Sequence, residues 1–141
     1  LELEFPHSDA LIMSAAVADA KVASYSEAKI RKESLDRVDL AKNPDILKSL
    51  SANKKLNQVI IGFAAETFED LVMLEESGRA KLASKSLDLI YVNNVSNGAV
   101  FGSDFTQGLI IDRNMNVIKV PEISKDTLSD ILLDQLVSKL G

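Results

Sequence analysis

The chain has 141 residues, a net charge of −5, and 46% hydrophobic and 26% charged residues. This length suits one domain with a sizeable core, and the composition is that of a globular protein rather than a disordered one. The negative charge argues against general affinity for nucleic acid or anionic membranes, and no apolar run is long enough to span a membrane. With no cysteine and a single histidine, His7, the chain offers no disulfide, no thiolate nucleophile and no histidine-based metal cluster.

A parallel sheet is predicted by three continuous apolar segments. Residues 10–17, 58–65 and 87–94 are runs typical of strands that are buried on both faces. Residues 18–34 show no clean periodicity and indicate a loop with a short helical turn. Alternation of apolar and polar residues over 38–40 indicates a further short strand.

Helices are predicted between these strands by their capping residues. In "KNPDILKSLSANKK", Asn43 is the expected N-cap, Pro44 suits the first turn, and Asp45 suits the positive end of the helix dipole. In the next helix, Thr67 is the expected N-cap, and Gly78 is placed to divide the helix in two. The order of strand, helix and strand indicates an α/β fold with a doubly wound parallel sheet.

The last part of the chain has a different pattern. Two strand-like runs flank "DRNMN", which indicates an antiparallel hairpin from Phe105 to Pro121. The stretch "SKDTLSDILLDQLVSKL" then indicates an amphipathic helix with Ser124 as its N-cap. We therefore predict one α/β domain over residues 1–141, with a mostly parallel sheet, a C-terminal antiparallel hairpin and a terminal helix.

Ligands of such sheets bind beyond the carboxyl ends of the strands. The predicted topology brings Asp19, Glu66 and Asn93 to that rim. Asp19 has the chemistry to bind a ribose hydroxyl or a metal ion, although a loop acid or a helix cap is the commoner role of such a residue. Gly62 permits close approach of a ligand to the second strand, and Phe63 beside it is either a core residue or a base-stacking platform.

Two groups of cations are candidate phosphate ligands. Lys29, Arg31 and Lys32 form a basic loop, and Lys81 and Lys85 are one helical turn apart, so that they can grip one anion together. The alternatives are a solvated loop and an exposed helix end, where cations suit the dipole. The helix start at "NPD" can likewise present free N–H groups to a ligand oxygen, or it can be satisfied by capping alone.

The common motifs for phosphate binding and for acyl transfer are not found in the sequence. There is no G-x-G-x-x-G, no G-x-x-x-x-G-K-[ST] and no G-x-S-x-G. A phosphorylated ligand would therefore have to be held by lysines and backbone groups. From the residues alone, the chain is an α/β domain with a candidate site for a phosphate-bearing ligand.

Six short motifs occur in order along the chain: "AAVAD", "KIRK", "KNPDIL", "GFAAET", "KLASKSLDLI" and "VNNVS". With these intervals, from about Asp9 to Leu140, the chain resembles phosphopantothenate–cysteine ligase, the synthetase half of the bacterial coenzyme A flavoprotein family. The resemblance implies a Rossmann-like, CTP-dependent enzyme of the cytoplasm. It also implies a homodimer, for which the hairpin from Phe105 to Pro121 is the natural interface, since pairing across a two-fold axis would cover its exposed edge.

The resemblance also implies a reaction. The carboxylate of 4'-phosphopantothenate attacks the α-phosphate of CTP, pyrophosphate leaves, and the amine of cysteine then displaces CMP from the acyl-cytidylate. A carboxylate is a poor acyl donor until its oxygen becomes a good leaving group, so the site must neutralise a triphosphate with cations and Mg²⁺. The expected partners are 4'-phosphopantothenate, cysteine, CTP and Mg²⁺, with neither nucleic acid nor membrane among them.

Residue roles follow from the positions in the motifs. Asp19 would contact the nucleotide or its Mg²⁺, and Lys29 would be the catalytic residue that stabilises charge at the α-phosphate. Lys81 and Lys85 would hold the phosphate tail. The other implied nucleotide-binding residues are Asn43, Pro44, Asp45, Ile46, Phe63 and Ala64.

Two departures from the family pattern stand in the sequence. Ala20, Lys21 and Val22 follow "AAVAD", where the family usually has an aromatic residue, a basic residue and proline. The Gly-rich N-terminal segment of the family has no counterpart here, so we expect an N-terminally truncated domain. The alternatives are a non-catalytic nucleotide-binding module or inactive fragment of the same fold, and a nicotinamide-dependent oxidoreductase, which the lack of a glycine fingerprint disfavours.

Overall fold

The computed structural model describes residues 1–31, 37–68, 70–95 and 102–141. A short 3₁₀ turn, Phe5–His7, opens this part of the chain. The strands that follow are, in chain order, β1 (Ala10–Met13), β2 (Ala20–Val22), β3 (Leu40–Lys42), β4 (Val59–Glu66), β5 (Leu89–Asn94), β6 (Phe105–Asp112) and β7 (Val117–Ser124). The helices are α1 (Ile46–Ala52), α2 (Leu71–Ser84) and α3 (Lys125–Leu140).

The main sheet is mixed. Its strands lie in the order β1-β4-β5-β6-β7, while β2 and β3 pair separately as an antiparallel ribbon. β1, β4 and β5 are parallel, and β6 and β7 extend the sheet as an antiparallel hairpin. Because parallel strands need crossover connections, α1 lies between β1 and β4 in the chain, and α2 lies between β4 and β5. The α/β class, the hairpin and the terminal helix are confirmed.

Helices cover both faces of this sheet. α1 and α2 pack on one face and α3 packs on the other, so each face has its own apolar core. Burial of apolar side chains against both faces fixes the parallel strands in place, and these strands lead to the candidate site. The buried helix residues are Leu47, Leu50, Leu74 and Leu82 on the first face, and Leu128, Leu132 and Leu136 on the second.

The first strand is shorter and less buried than its sequence indicated. β1 ends at Met13, and the alanine-rich residues after it continue as exposed irregular backbone. Ile12 is 40% exposed, because β1 pairs only with β4 and forms an edge of the sheet among the described residues. The predicted strand is therefore confirmed over Ala10–Met13, whereas its extension to residue 17 and its burial on both faces are wrong. Alanine and serine bury too little apolar surface to keep the run inside the sheet.

The segment after β1 also differs from the prediction. A loop with a helical turn was predicted for residues 18–34, but β2 lies in the described part of that range. β2 is stabilised by ladder hydrogen bonds to β3, which is the short strand indicated by residues 38–40 shifted toward the C terminus. The backbone groups of this otherwise exposed segment are thereby satisfied without a helix.

The cap of α1 is Asp45, not Asn43. The Asp45 carboxylate accepts a 3.1 Å hydrogen bond from the backbone N–H of Lys48, which is one of the free donors of the first turn. Asn43 points elsewhere, since its side-chain amide donates to the carbonyl of Ala18 at 2.8 Å. Pro44 consequently lies before the helix rather than in its first turn.

Two predictions for α2 are also wrong. Its N-cap is Asp70, whose carboxylate accepts from the backbone N–H of Val72 at 2.8 Å, rather than Thr67. Gly78 does not divide the helix, which is continuous from Leu71 to Ser84. A Cβ at Gly78 would lie 2.7 Å from both Val92 and Ile111, so glycine is needed there for close packing of the helix on the sheet.

The C-terminal elements agree with the sequence. β6 and β7 form the hairpin around "DRNMN", and the turn places Met115 at φ 64°, a left-handed conformation. Ser124 caps α3, since its side chain accepts from the backbone N–H of Thr127 at 3.1 Å. None of the helices in the described part of the chain is long and apolar enough to cross a membrane.

Candidate functional site

A cleft of about 360 Å³ opens at the carboxyl ends of β1 and β4. Its walls come from the segment after β1, the start of α1, the end of β4 and the end of α2. This is the edge of a parallel sheet at which ligands bind. Apart from Lys29, every nucleotide-binding residue implied by the sequence motifs lines this cleft: Asp19, Asn43, Pro44, Asp45, Ile46, Phe63, Ala64, Lys81 and Lys85.

Hydrogen bonds from Asn43 fix the segment after β1, which forms one wall of the cleft. Asn43 donates its backbone N–H to the carbonyl of Asp19 and its side-chain amide to the carbonyl of Ala18, both at 2.8 Å. These bonds continue the pairing of β2 with β3, and they hold the exposed Asp19 beside the start of α1. The "AAVAD" and "KNPDIL" motifs are therefore adjacent in space, although the chain separates them by more than twenty residues.

Asp45 links the start of α1 to the end of α2, which form two walls of the cleft. Besides capping α1, its carboxylate lies 3.3 Å from the ammonium nitrogen of Lys85, the residue that ends α2. Burial on its own would raise the pKa of the Asp45 carboxyl, but the hydrogen bond from Lys48 and the charge of Lys85 outweigh it and hold the pKa below its ordinary value. The carboxylate thus takes the N–H of Lys48, which is one of the free donors at this helix start.

Lys81 has a carboxylate partner of its own. Its ammonium group contacts Glu66 Oε1, and the same oxygen accepts a 2.7 Å hydrogen bond from the hydroxyl of Ser77. Burial raises the pKa of the Glu66 carboxyl, but the bonds from Lys81 and Ser77 outweigh this effect and lower the pKa overall. Lys81 and Lys85 thus line one cleft, as their spacing predicted, while each is held by a different acid.

The Phe63 ring packs against a core residue. Its centroid lies 5.9 Å from that of Tyr91, with the rings inclined at 73°, an edge-to-face contact within the core beneath α3. Ala64, the next residue of β4, packs in the core of the opposite face. The core contact is therefore observed. Because Phe63 also lines the cleft, its implied role beside the base stays a prediction.

Several predicted residues lie away from the cleft. Lys29 and Arg31 are exposed on the segment after β2 and do not contribute to the cleft lining, and Lys32 lies outside the described residues. Glu66 contacts Lys81 but does not line the cleft. Asn93 lies at a separate cavity of about 510 Å³ on the α3 face of the sheet. The predicted rim of Asp19, Glu66 and Asn93 is therefore not one site.

The described residues contain no cluster of three or more histidine, aspartate or glutamate side chains that could hold a metal ion. Asp19 and Asp45 are the carboxylates that line the cleft. Mg²⁺ is commonly held by one or two carboxylates together with the phosphates of a substrate. This donor set fits a Mg²⁺ that is carried in by a polyphosphate better than a resident metal.

The motifs did not reveal the partners of the cleft lysines. The predicted topology puts Glu66 at the rim but indicates no role for it, and no motif marks Ser77. Ser77 and Lys81 are one helical turn apart, so their side chains point the same way, and this spacing was the available signal. The sequence does not show that the face of α2 that carries Ser77 and Lys81 packs against the end of β4.

These features define the class of an α/β domain with a charged ligand cleft at the strand ends. Residues 1–140 match the DNA/pantothenate metabolism flavoprotein C-terminal domain, and the chain belongs to this family, which confirms the resemblance. It is 37% identical over 133 residues to the coenzyme A biosynthesis bifunctional protein CoaBC of Bacillus subtilis, covering 93% of this chain and 32% of that protein. For the protein of the same name from Borreliella burgdorferi, identity is 34% over 125 residues, covering 87% and 30%.

The fold agrees with a solved structure of the same family. The crystal structure of the C-terminal domain of coenzyme A biosynthesis bifunctional protein CoaBC superposes with a TM-score of 0.72 at 26% sequence identity. The match covers 96% of this chain and 56% of that one. The chain spans about a third of the length of the curated relatives that it matches.

Proposed function

We propose that the chain is the nucleotide-binding part of a phosphopantothenate–cysteine ligase that uses CTP in coenzyme A biosynthesis. The observation that carries this proposal is the cleft, which gathers the implied nucleotide-binding residues from four separate segments of the chain. Membership of the family and the likeness to proteins named for coenzyme A biosynthesis support it.

The proposed reaction has two balanced steps. A carboxylate oxygen of 4'-phosphopantothenate forms a bond to the α-phosphorus of CTP, and the bond from that phosphorus to pyrophosphate breaks. The amine nitrogen of cysteine then forms a bond to the acyl carbon, CMP leaves with the former carboxylate oxygen, and the amine loses a proton. Both steps move negative charge onto phosphate oxygens, so fixed cations are what the protein must supply.

The cleft residues have distinct roles in this proposal. Lys81 and Lys85 bind the phosphates. Their side chains are 41% and 35% exposed, so a ligand can reach them. Asn43, Pro44 and Ile46 form the wall beside the base and ribose. Asp19 would hold Mg²⁺ together with the phosphates, and Mg²⁺ would neutralise the charge of the triphosphate.

Lys29 acts from outside the cleft in this proposal. It lies on the exposed segment after β2, ten residues from Asp19, and that segment would have to approach the cleft for Lys29 to reach the α-phosphate. Once beside the α-phosphate, the ammonium group of Lys29 would stabilise the negative charge that develops as pyrophosphate leaves. This makes Lys29 the catalytic residue and separates its role from the binding roles of Lys81 and Lys85.

The hairpin is the proposed dimer interface. β7 is an edge strand of the sheet among the described residues, and its Ile118 is 42% exposed. Phe105, at the start of β6, is 53% exposed. An edge strand with exposed apolar side chains can be covered by the same strand of a second copy across a two-fold axis.

Ligand-dependent thermal unfolding tests the nucleotide. We expect CTP with Mg²⁺ to raise the melting temperature of the chain, because a ligand at a hundredfold excess over its Kd stabilises the folded state by about 2.7 kcal/mol. ATP in place of CTP measures the selectivity for the base. Stabilisation by NADH and not by CTP would contradict the proposal and would favour a nicotinamide-dependent domain.

Pyrophosphate release tests the reaction itself. CTP, 4'-phosphopantothenate and cysteine are incubated with the chain, and we expect pyrophosphate only when the phosphopantothenate is present. Lys29→Ala should abolish the release and leave CTP binding intact, with Lys48→Ala, an exposed lysine outside the cleft lining, as the control. CTP binding without pyrophosphate release in the wild type would contradict catalysis by this chain and favour a nucleotide-binding module.

A further inference from the structure

Glu66 is a carboxylate outside the cleft that holds one of the lysines lining it. It lies at the end of β4, and its Oε1 contacts the ammonium group of Lys81. Its side chain is 15% exposed, against 41% for that of Lys81. Lys81 lines the cleft, whereas Glu66 does not.

We propose that Glu66 is a positioning residue that fixes the ammonium group of Lys81 at the wall of the cleft before a phosphate-bearing ligand binds. The inference rests on the proposed function for the identity of the ligand. The position of Lys81 in the ligand-free chain can be tested without it.

Glu66 is itself held rigidly enough for this role. Its backbone pairs with Asn94 of β5, and its carbonyl accepts a 2.7 Å hydrogen bond from the backbone N–H of Val95. The hydroxyl of Ser77, one turn before Lys81 on α2, donates to the same carboxylate oxygen at 2.7 Å. The carboxylate is therefore fixed to the sheet at one side and to the helix at the other. A supporting group on such rigid elements can orient a flexible one.

Lys81 benefits from such a partner because lysine is flexible. Fixing a long, free side chain when a ligand binds lowers the affinity, and a side chain that is already ordered avoids that loss. The low pKa of Glu66 keeps it ionised near neutral pH, so the contact is a charged one. An ammonium group has more N–H donors than one carboxylate oxygen takes, which leaves donors for a phosphate.

The neighbouring lysine is held differently. Lys85 pairs with Asp45, and both of these residues line the cleft, so a bound phosphate must share Lys85 with an acid on the cleft surface. Glu66 contacts Lys81 from outside the cleft lining, so it does not compete with a ligand for space in the cleft. Glu66 is therefore the acid whose removal should loosen Lys81 while leaving the cleft lining unchanged.

Side-chain NMR relaxation tests the position of Lys81 without any ligand. In the wild type we expect a higher order parameter for the Lys81 side chain than for the exposed Lys21. In Glu66→Ala it should fall to that of the exposed Lys21. Glu66→Gln retains an acceptor for Ser77 and Lys81, so its effect should be intermediate. It also provides a folded comparison if the alanine variant is unstable.

A matched control lies on the same helix. Glu75 and Arg79 form an ion pair at 2.6 Å, one turn apart on α2 and outside the cleft lining. Glu75→Ala removes an acid from a pair of similar type and should leave the order parameter of Lys81 unchanged. An equal loss in both variants would mean that the effect is a general loosening of α2, and this would overturn the proposal.

Titration calorimetry with CTP and Mg²⁺ tests the consequence. Glu66→Ala should weaken binding by about two- to tenfold. The same substitution should have no further effect when Lys81 is already alanine, because Glu66 acts through Lys81. Additive effects of Glu66→Ala and Lys81→Ala, or an unchanged Lys81 order parameter in Glu66→Ala, would overturn the proposal. Failure of the wild type to bind CTP would contradict the proposed function, and the relaxation measurement would then decide the role of Glu66.

Discussion

The two ends of the parallel strands use the same ionic groups in opposite ways. At the amino end, Asp88 is 1% exposed and lies directly before β5. Its Oδ2 accepts a 2.7 Å hydrogen bond from the backbone N–H of Ile60, and its carboxylate contacts Lys54 and Arg113. This amino-end cluster of Asp88, Lys54 and Arg113 ties together β4, β5, the end of α1 and the turn after β6.

At the carboxyl end, the ion pairs remain open to solvent. The rim pairs are Glu66–Lys81 and Asp45–Lys85, and their lysine side chains are 41% and 35% exposed. Water screens such pairs, so each contributes little to folding. The ammonium groups stay accessible to a ligand for the same reason.

Burial of the acid, and not the kind of residue, separates a structural ion pair from a candidate binding group among these pairs. The Asp88 side chain is 2% exposed, against 15% for Glu66 and 41% for Asp45. The cations do not differ in this way, since Arg113 is 56% exposed. A buried carboxylate must be paired because leaving it unpaired is costly, so the amino-end cluster is specified by the fold. A cation at an open rim keeps N–H donors that a phosphate can take. Four substitutions or changes of condition test this difference.

Removing Asp88 should have the largest effect on stability. Asp88→Ala leaves the buried N–H of Ile60 without an acceptor and Lys54 and Arg113 without their anion. We expect the free energy of unfolding to fall by about 3–5 kcal/mol. Chemical denaturation measures it, with Asp39→Ala as the control, because Asp39 pairs with Arg37 at the exposed surface and its loss should cost under about 1 kcal/mol. Equal effects of the two substitutions would contradict the assigned importance of burial.

Filling the space at Gly78 should have the next largest effect. The added Cβ of Gly78→Ala would lie 2.7 Å from side-chain methyl groups of Val92 and Ile111, so either these side chains or α2 must shift. Overpacking of this kind costs about 1–3 kcal/mol, which exceeds the gain in helix propensity of up to about 1 kcal/mol. Ser84→Ala at the exposed end of α2 is the control. A rise in the denaturation midpoint of Gly78→Ala would show that the contact is looser than described.

Removing Lys85 should have little effect on stability and a clear effect on binding. We expect Lys85→Ala to change the free energy of unfolding by under about 1 kcal/mol, because its pair with Asp45 is exposed. The affinity for CTP should fall by about tenfold or more, which is the size of a lost hydrogen bond to a charged group. Calorimetry measures the affinity, and Lys48→Ala on α1 is the control outside the cleft lining. Equal affinities of the two variants would remove Lys85 from the site.

Acidification should have the smallest effect on the free energy of unfolding. Folding lowers the pKa of Asp45 and Glu66 below their ordinary values of 3.8 and 4.5. For an acid with a lowered pKa, the added stability is present above the ordinary value and is lost as pH falls through the folded value. Unfolding measured between about pH 6 and pH 3 should therefore show a smaller acid-induced loss in Asp45→Asn than in the wild type. An identical pH profile would contradict ionic pairing of Asp45.

The sequence predicted the parts of the fold that depend on local pattern. The apolar runs located β4 and β5, and the capping residue Ser124 and the turn "DRNMN" located α3 and the hairpin. The first strand was overextended because an apolar run does not show whether a second neighbour covers it. Asn43 and Asp45 are both residues that commonly cap helices, so the sequence does not separate them. The contact of Asn43 with Ala18, which the sequence does not show, leaves Asp45 as the cap.

The cleft was predicted for a different reason. Its residues came from the order of six motifs, and the fold brings nearly all of them together. The partners of the lysines could not be predicted, because Glu66 and Asp45 meet Lys81 and Lys85 only after α2 packs against the strand ends. Gly78 looked like a helix breaker for the same reason, since the tight contact with Val92 and Ile111 has no trace in the sequence of α2.

The most direct test of the central claim is a residue-resolved titration of the backbone amide signals with CTP and Mg²⁺. We expect the shifts to concentrate at the carboxyl-end cleft, around Asp19, Asn43 and Lys85. The signals around Asp88 and Arg113 should stay in place. Shifts centred on the amino-end cluster, or an absence of shifts at saturating CTP, would contradict the assignment of the open rim as the nucleotide site.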